Sequence, residues 1–375
     1  MAKAVEGREP PRGAGFGLVQ NLVTPLVVPF FAVFTALLVG AFIIWITGKD
    51  WVAAYVGLWQ GSYGSLDAII STVVRSTPFI ICGLAVGLGF KAGSFNIGAE
   101  GQLYAGSLLA VLVGSSLGGL PSIIHIPLAI AAGALGGFLY GAIPGFLKAR
   151  TGAHEVINTI MLNYIALRMT DWLIKSKTPY LLGDPEDKSG ASTRMVLESA
   201  RLPTIPVTDL HAGIIMALLL VVFVYWLLYR TTIGFELRTA GTNPNAAKYA
   251  GMNVPNTIIL GLAFSGMLAG LAGAGEVLGV EGRLRADFFA GLGFDSIAVA
   301  LLARSNPFGI IISGLLWGGL ITGARLMQVR ADLSIDLIKI VQALIIMFVA
   351  ADKIIRFIYR IRVRQDGEET VFSKG

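Results

Sequence analysis

The sequence predicts an all-α polytopic membrane protein of about ten transmembrane helices, with broken helices and an internal repeat. Three observations predict it. The 375 residues are 55% hydrophobic and only 14% charged, with a mean hydropathy of +0.73. A soluble domain is nearer to about a quarter charged, because it must cover itself with a solvated surface. Apolar runs recur along the whole chain at lengths that suit a hydrocarbon core of ~30 Å. Glycines with isolated polar residues interrupt those runs at two corresponding places. A chain in lipid must satisfy its own backbone hydrogen bonds, which helices do and open sheets do not.

Taken in order, the first run is Pro25–Thr47, "PLVVPFFAVFTALLVGAFIIWIT", inside a stretch without charge from Gly13 to Gly48. It is too long for a signal-peptide core and no A-x-A-like site follows, so it reads as a retained first span. Comparable runs lie near 68–90, 102–119, 123–147, 155–173, 211–229, 256–280, 288–303, 307–324 and 334–350. This divides the chain into an N-terminal tail (1–24), a transmembrane domain (25–350) and a C-terminal tail (351–375).

Orientation follows from the basic flanks. Lys3, Arg8 and Arg12 lie in the first tail, and Lys353, Arg356, Arg360, Arg362 and Arg364 in the last. Both termini are therefore expected in the cytoplasm, which an even number of spans requires. Lys148, Arg150, Arg230, Arg238 and Lys248 then also fall inside. The segment 174–210 falls outside, with Arg283, Arg285, Arg325 and Arg330. The pI near 9.4 is mostly this membrane-flank charge, and no basic patch for nucleic acid is visible.

Cysteine and metal chemistry are not indicated. Cys82 stands alone in an apolar run, and His125, His154 and His211 are scattered without an HExxH spacing. Small-residue ridges are more informative. Gly133, Gly137, Gly141 and Gly145 recur every four residues, and Gly266 with Gly270 and Gly314 with Gly318 repeat the device in the second half. Such ridges let helices approach closely, which predicts a compact bundle.

The polar interruptions pair between the halves. "FNIGAEGQLYAG" in the first resembles "FFAGLGFDSIAVALLARSNPFG" in the second, each combining glycines with one carboxylate, Glu100 or Asp295. Interrupted segments at corresponding places point to broken helices around a transport site. A carboxylate near mid-membrane costs about 2.5 to 3.5 kcal/mol even on translocon scales. Asn96, Glu100, Gln102, Asn158, Asn163, Phe294 and Asp295 are accordingly the expected lining of a substrate path. For Glu100 three readings stand open: substrate contact, acceptance of backbone N–H groups where the helix breaks, or hydration in a surface turn. Asn158 and Asn163 are five apart, so they do not share one stripe.

A different stretch, Thr231–Val254 ("TTIGFELRTAGTNPNAAKYAGMNV"), is a polar loop on the expected cytoplasmic side. Pro244 suits a first helical turn and Gly251 a terminus, which predicts a short surface helix of about two turns between them. The pattern Gly234, Glu236, Arg238, Gly241, Asn243, Pro244, Ala246, Ala247, Gly251 resembles the cytoplasmic coupling loop of ABC-importer permeases of the branched-chain amino acid, ribose and nucleoside class. "FNIGAEGQ" (95–102), "GAHEVINTIMLNYIA" (152–166) and "GFDSIAVALLARSNPFG" (293–309) are similar to the nucleoside-type branch. Ala303 departs from the glycine usual there. The resemblance covers nearly the whole chain.

The resemblance implies a non-catalytic permease subunit in the bacterial cytoplasmic (inner) membrane, without a cofactor. The chain has no G-x-x-x-x-G-K-[ST] stretch to cradle phosphates, in keeping with ATP hydrolysis by a partner. The implied partners are a cytoplasmic ATP-binding subunit, a second paralogous permease or a second copy, and an extracytoplasmic substrate-binding lipoprotein. The implied cargo is a nucleoside or a related simple sugar. Two other classes compete. An ion-coupled secondary transporter would use Glu100, Glu155, Glu276 or Asp295 and would need no docking helix. An intramembrane enzyme would need a nucleophile with a base or a metal cluster, a constellation that is not present.

Overall fold

The computed structural model describes residues 14–176, 182–187, 190–205, 208, 210–285 and 291–359, and among these it is all-helical apart from isolated bridges. In chain order the helices are α1 (Ala14–Ile46), α2 (Trp51–Tyr63), α3 (Leu66–Lys91), α4 (Ala99–Ser116) and α5 (Ser122–Thr151). Next come α6 (Glu155–Lys175), α7 (Gly213–Arg230), α8 (Thr232–Thr242), α9 (Pro244–Tyr249) and α10 (Val254–Glu276). The last are α11 (Leu292–Leu302), α12 (Pro307–Ala331), α13 (Ile335–Ala350) and α14 (Asp352–Ile358). A π-helical turn, Val277–Glu281, prolongs α10.

Each of the ten apolar runs contains a helix, and among the described residues six of these are long and apolar enough to cross a membrane: α1, α3, α5, α7, α10 with its π turn, and α12. Length and composition alone do not make the other four spans. The physical reasons differ. With 11 residues α11 reaches only ~16 Å. With 16 residues α13 is also short. Glu155, Arg168, Asp171 and Lys175 make α6 too charged, and α4 opens on Glu100 and Gln102. The first helix begins at Ala14, inside the segment read as a tail. Lys3, Arg8, Arg12, Arg360, Arg362 and Arg364 lie outside the described residues, as do 177–181 and 286–290.

The helices fall into two compact units. In one, α1 packs on α14: Val28, Ala32 and Ile355 are buried together, and Thr35 Oγ1 lies 2.9 Å from the Tyr359 hydroxyl. The other runs from Lys49 to Ile335 and is organised around α10. Here the two predicted ridges meet each other. A Cβ on Gly270 would stand 2.8 Å from Gly137 Cα, and one on Gly141 would stand 2.9 Å from Gly266 Cα. Any side chain at these positions would drive α5 and α10 apart, so backbone lies against backbone. On another face of α10, the Cβ position of Gly273 is closed by Ser107 and the Leu103 carbonyl of α4. On α12, Gly323 meets Leu58 and Ser62 of α2.

The segment after α6 is docked, not loose. Val196 N–H donates to Gly282 O at 2.7 Å, Leu202 N–H to Leu278 O at 2.9 Å, and Leu197 N–H to Gly114 O at 3.0 Å. His125 Nδ1 lies 2.8 Å from Ser199 Oγ. These bonds hold it over the ends of α4, α5 and α10.

The seam makes a direct prediction. Gly270→Leu should cost about 3 kcal/mol or more through overpacking, read as a lower melting temperature of the purified protein in detergent. Gly118→Leu, where nothing lies within 4 Å of the Cβ position, should melt like the parent.

Candidate functional site

The α3–α4 break is built from side chains that serve helix ends. Four backbone N–H groups open every helix without an intrahelical partner, and neither lipid nor packed protein supplies water to them. Gly98, before α4, has no side chain to cap with. Asn96 Oδ1 therefore accepts the Gly98 N–H at 2.9 Å, and Asn163 Oδ1, reaching over from α6, accepts the Gly101 N–H at 2.9 Å. Asn163 Nδ2 donates back to Ile97 O at 2.9 Å. Asn96 Nδ2 donates to Gln102 Oε1 and to Ser265 Oγ, both at 2.8 Å, and Ser265 Oγ donates to Ala85 O at 2.6 Å. This knot joins α3, α4, α6 and α10. Asn96 and Gln102 are fully buried within it.

Glu100 does the same work for the second half. Its carboxylate accepts the Gly291 N–H at 2.9 Å and the Gly293 N–H at 2.5 Å. These groups open α11, whose cap residue Gly291 is left-handed at φ 94° and has no side chain to bond them. A carboxylate at a helix N-terminus is also favoured by the macrodipole. The two interruptions paired in the sequence are therefore joined in space. Of the three readings of Glu100, acceptance of backbone N–H groups is the one this geometry supplies.

The other expected path residues are not drawn into the knot. Asn158 Nδ2 is buried without a hydrogen-bond partner among the described residues, Phe294 is exposed on α11, and Asp295 is half-buried beside it. None of the seven lines the cavity of about 1060 Å³ that opens beneath the segment docked after α6. That cavity lies between α3, α5, α12 and the end of α10, with Arg75, Glu276, Thr322 and Arg325 in its wall. Sequence reasoning missed it as a site. The available signal was Arg75, a lone charge inside an apolar run, and Glu276 had been weighed only as an ion site.

At the other expected site the polar loop is two helices. Asn243 ends α8 and caps α9, accepting the Ala246 N–H at 3.0 Å, with Pro244 in the first turn. Gly251 closes α9 with φ 82°. Ala246 is exposed and Ala247 buried, so α9 has one face free. Gly234 packs on the Leu227 carbonyl, at the end of α7. Arg238 is not a free charge: its Nε donates to Leu228 O at 2.9 Å and its guanidinium lies 5.0 Å from the Tyr229 ring centroid. A cation there suits the C-terminal end of α7. Glu236 is half-buried on α8. Gly241 is the contact point with the bundle, since a Cβ on it would stand 2.5 Å from the Lys91 carbonyl and 2.6 Å from Gly93 N.

A bundle of apolar helices with broken ends, glycine seams and a helical loop standing off it is the architecture of a transport permease. The chain belongs to the family described as branched-chain amino acid transport system / permease component, whose model matches residues 68–350. It is 44% identical to the guanosine ABC transporter permease protein NupP of Bacillus subtilis, over 89% of this chain and 95% of that one. It is 33% identical to the nucleoside ABC transporter permease protein NupB of Lactococcus lactis subsp. cremoris, over 90% and 94%. It is 32% identical to the glucose ABC transporter permease protein TsgB13 of Haloferax volcanii, over 90% of each. No solved structure matches the chain.

The capping role of Glu100 is testable. Glu100→Gln places an NH2 group against one of two backbone N–H donors, leaving a buried donor unsatisfied at about 1–3 kcal/mol. The variant should melt below the parent in detergent by more than an exposed Glu198→Gln variant does. Equal melting of Glu100→Gln and the parent would remove the cap from the account.

Proposed function

We propose that this chain is the transmembrane permease subunit of an ABC importer that carries nucleosides or a related simple sugar. The observation that carries the reading is similarity over nearly the whole chain to permeases named for guanosine and nucleosides, with one named for glucose. A permease component is a transport subunit, so ATP is hydrolysed by a cytoplasmic partner. The further partners proposed are a second permease, paralogous or a second copy, and an extracytoplasmic substrate-binding lipoprotein.

The protein would sit in a bacterial cytoplasmic membrane with about ten transmembrane helices and both termini cytoplasmic. Shorter helices such as α4 and α11 then count as broken spans, complete only with the segments that cap them. Asn96, Glu100, Gln102 and Asn163 would hold the helices of the substrate path in position. Asn158, Phe294 and Asp295, whose side chains are not occupied by those helix ends, would face it. The ATPase would dock on α8 and α9, through Glu236, Asn243, Pro244 and Ala246 on the outside. Gly234, Arg238, Gly241, Ala247 and Gly251 would shape the pair and press it on the bundle. Closure of the ATPase would then rock the helices and alternate access.

Cells expressing the complete system should take up labelled guanosine, and a panel of unlabelled nucleosides, pentoses and glucose should rank the cargo by competition. Asp295→Asn should lower that uptake. Failure of the whole panel to compete, or absence of guanosine and sugar uptake, would count against the assignment.

Orientation and docking share one experiment. Lys248 is exposed on α9. In Lys248→Cys, an impermeant thiol reagent should label inside-out vesicles but not intact cells, and the bound ATPase should block the labelling. Labelling of intact cells sinks the orientation, and labelling indifferent to the ATPase sinks the docking surface.

A further inference from the structure

The cavity beneath the docked segment has a buried carboxylate in its wall. Glu276 is only 6% exposed and lines the cavity. It stands where α10 widens into the π turn Val277–Glu281, a distortion that recurs at functional sites. A carboxylate buried beside a cavity is costly, and a solute that donates hydrogen bonds to it offsets that cost.

The rest of the wall narrows what that is. Arg75, Arg201 and Arg325 line the same cavity, Arg201 paired with Glu198 at 3.5 Å. Three guanidinium groups disfavour a metal cation or an amine as the occupant. Glu276 with Glu198 disfavours an anion. A neutral solute that donates hydrogen bonds fits both signs. Ser71, Ser122 and Thr322 add hydroxyls that both donate and accept. About 1060 Å³ is at the roomy end of small-molecule sites, enough for a nucleoside-sized solute with water.

We propose that Glu276 anchors a solute-binding site in this cavity by accepting hydrogen bonds from the vicinal hydroxyls of a neutral sugar moiety. The inference rests on the import reading above and deepens it: it names the sugar hydroxyls, not the base, as what this wall recognises. A carboxylate offers two oxygens at the spacing of a vicinal diol, the chemistry by which acidic side chains hold ribose hydroxyls elsewhere. Under the proposed orientation the docked outer segment puts this cavity on the extracytoplasmic side.

The test uses the complete transporter, with ATPase and partner subunits, and two probes: guanosine, and 2′,3′-dideoxyguanosine, which keeps the base and lacks the diol. Glu276→Gln should lower guanosine uptake by about tenfold or more, while dideoxyguanosine uptake changes by less than about twofold. Equal loss for both probes, or no loss for guanosine, overturns the proposal. Should Glu276→Gln fail to assemble, Thr322→Cys provides a second measurement. Guanosine should then slow labelling of that cysteine by an impermeant thiol reagent, and dideoxyguanosine should not. Equal protection by both probes, or by neither, also overturns it. A parent complex that imports neither nucleosides nor sugars removes the import reading and this one together. A parent that imports guanosine beside an unimpaired Glu276→Gln removes this one alone.

Discussion

The rest of this structure depends on how helix ends are satisfied away from water. A helix that begins inside a membrane bundle exposes N–H groups that neither lipid nor apolar side chains can bond. Here the solution is to borrow side chains from other helices. Asn163 of α6 serves α4, and Glu100 of α4 serves α11. Each borrowed cap is also a tie between segments far apart in sequence. Glu100 and Gly291 are 191 residues apart, so the cap of one short helix fixes the relation of the two halves. The cost of burying this carboxyl group is offset by two backbone hydrogen bonds and by the dipole of the helix it opens.

Caps of this length work only if the backbones come close enough for them to reach. Asparagine extends two bonds beyond its Cβ, so α4 and α6 must pack tightly at Gly101. A Cβ there would stand 3.0 Å from Asn163 Oδ1 and 3.1 Å from Asn163 Cα, which leaves no room for a larger residue. The seam between α5 and α10 sets the same tight spacing at the centre of the unit. Glycine packing and side-chain capping are therefore one design. Small residues bring the helices together, and the few polar residues then close the ends that close packing leaves dry.

The glycine period of four in α5 was legible in the sequence, because helical spacing turns it into a stripe without reference to any partner. That the stripe faces Gly266 and Gly270 was not, since either ridge could have met a third helix. Asn243–Pro244 announced the start of α9 by local chemistry alone, and Gly251 its end. The helix α8 was hidden because Thr231, Thr239 and Thr242 look loop-like until their hydroxyls are seen bonding backbone carbonyls one turn back. The partners of Arg238, Leu228 and Tyr229, lie ten and nine residues earlier and are brought opposite it only by the turn between α7 and α8. The cavity was least legible of all. Its wall comes from four helices and the segment docked after α6, and no local pattern marks Ser71, Glu276 and Thr322 as neighbours.

A loop that is to move helices must press on them with backbone, because long side chains absorb displacement by changing rotamer. Gly241 meets this condition. With no side chain on either Gly241 or Gly93, the end of α8 lies directly on the turn that closes α3, and Gly93 takes φ 69° to present that face. The next residues of that turn are Ser94 and Asn96, and Asn96 is the centre of the knot that holds α4 and α10. Glu100, one turn further, grips the start of α11. A displacement of α8 therefore meets no soft element before it reaches the break in the bundle. Lys148 braces the same turn from the side, donating to Gly93 O and Ser94 Oγ at 3.3 Å while paired with Glu155 at 2.9 Å. Under the proposed docking of the ATPase, a push on the α8–α9 pair would thus be passed by backbone contact to the turn that precedes the broken helices.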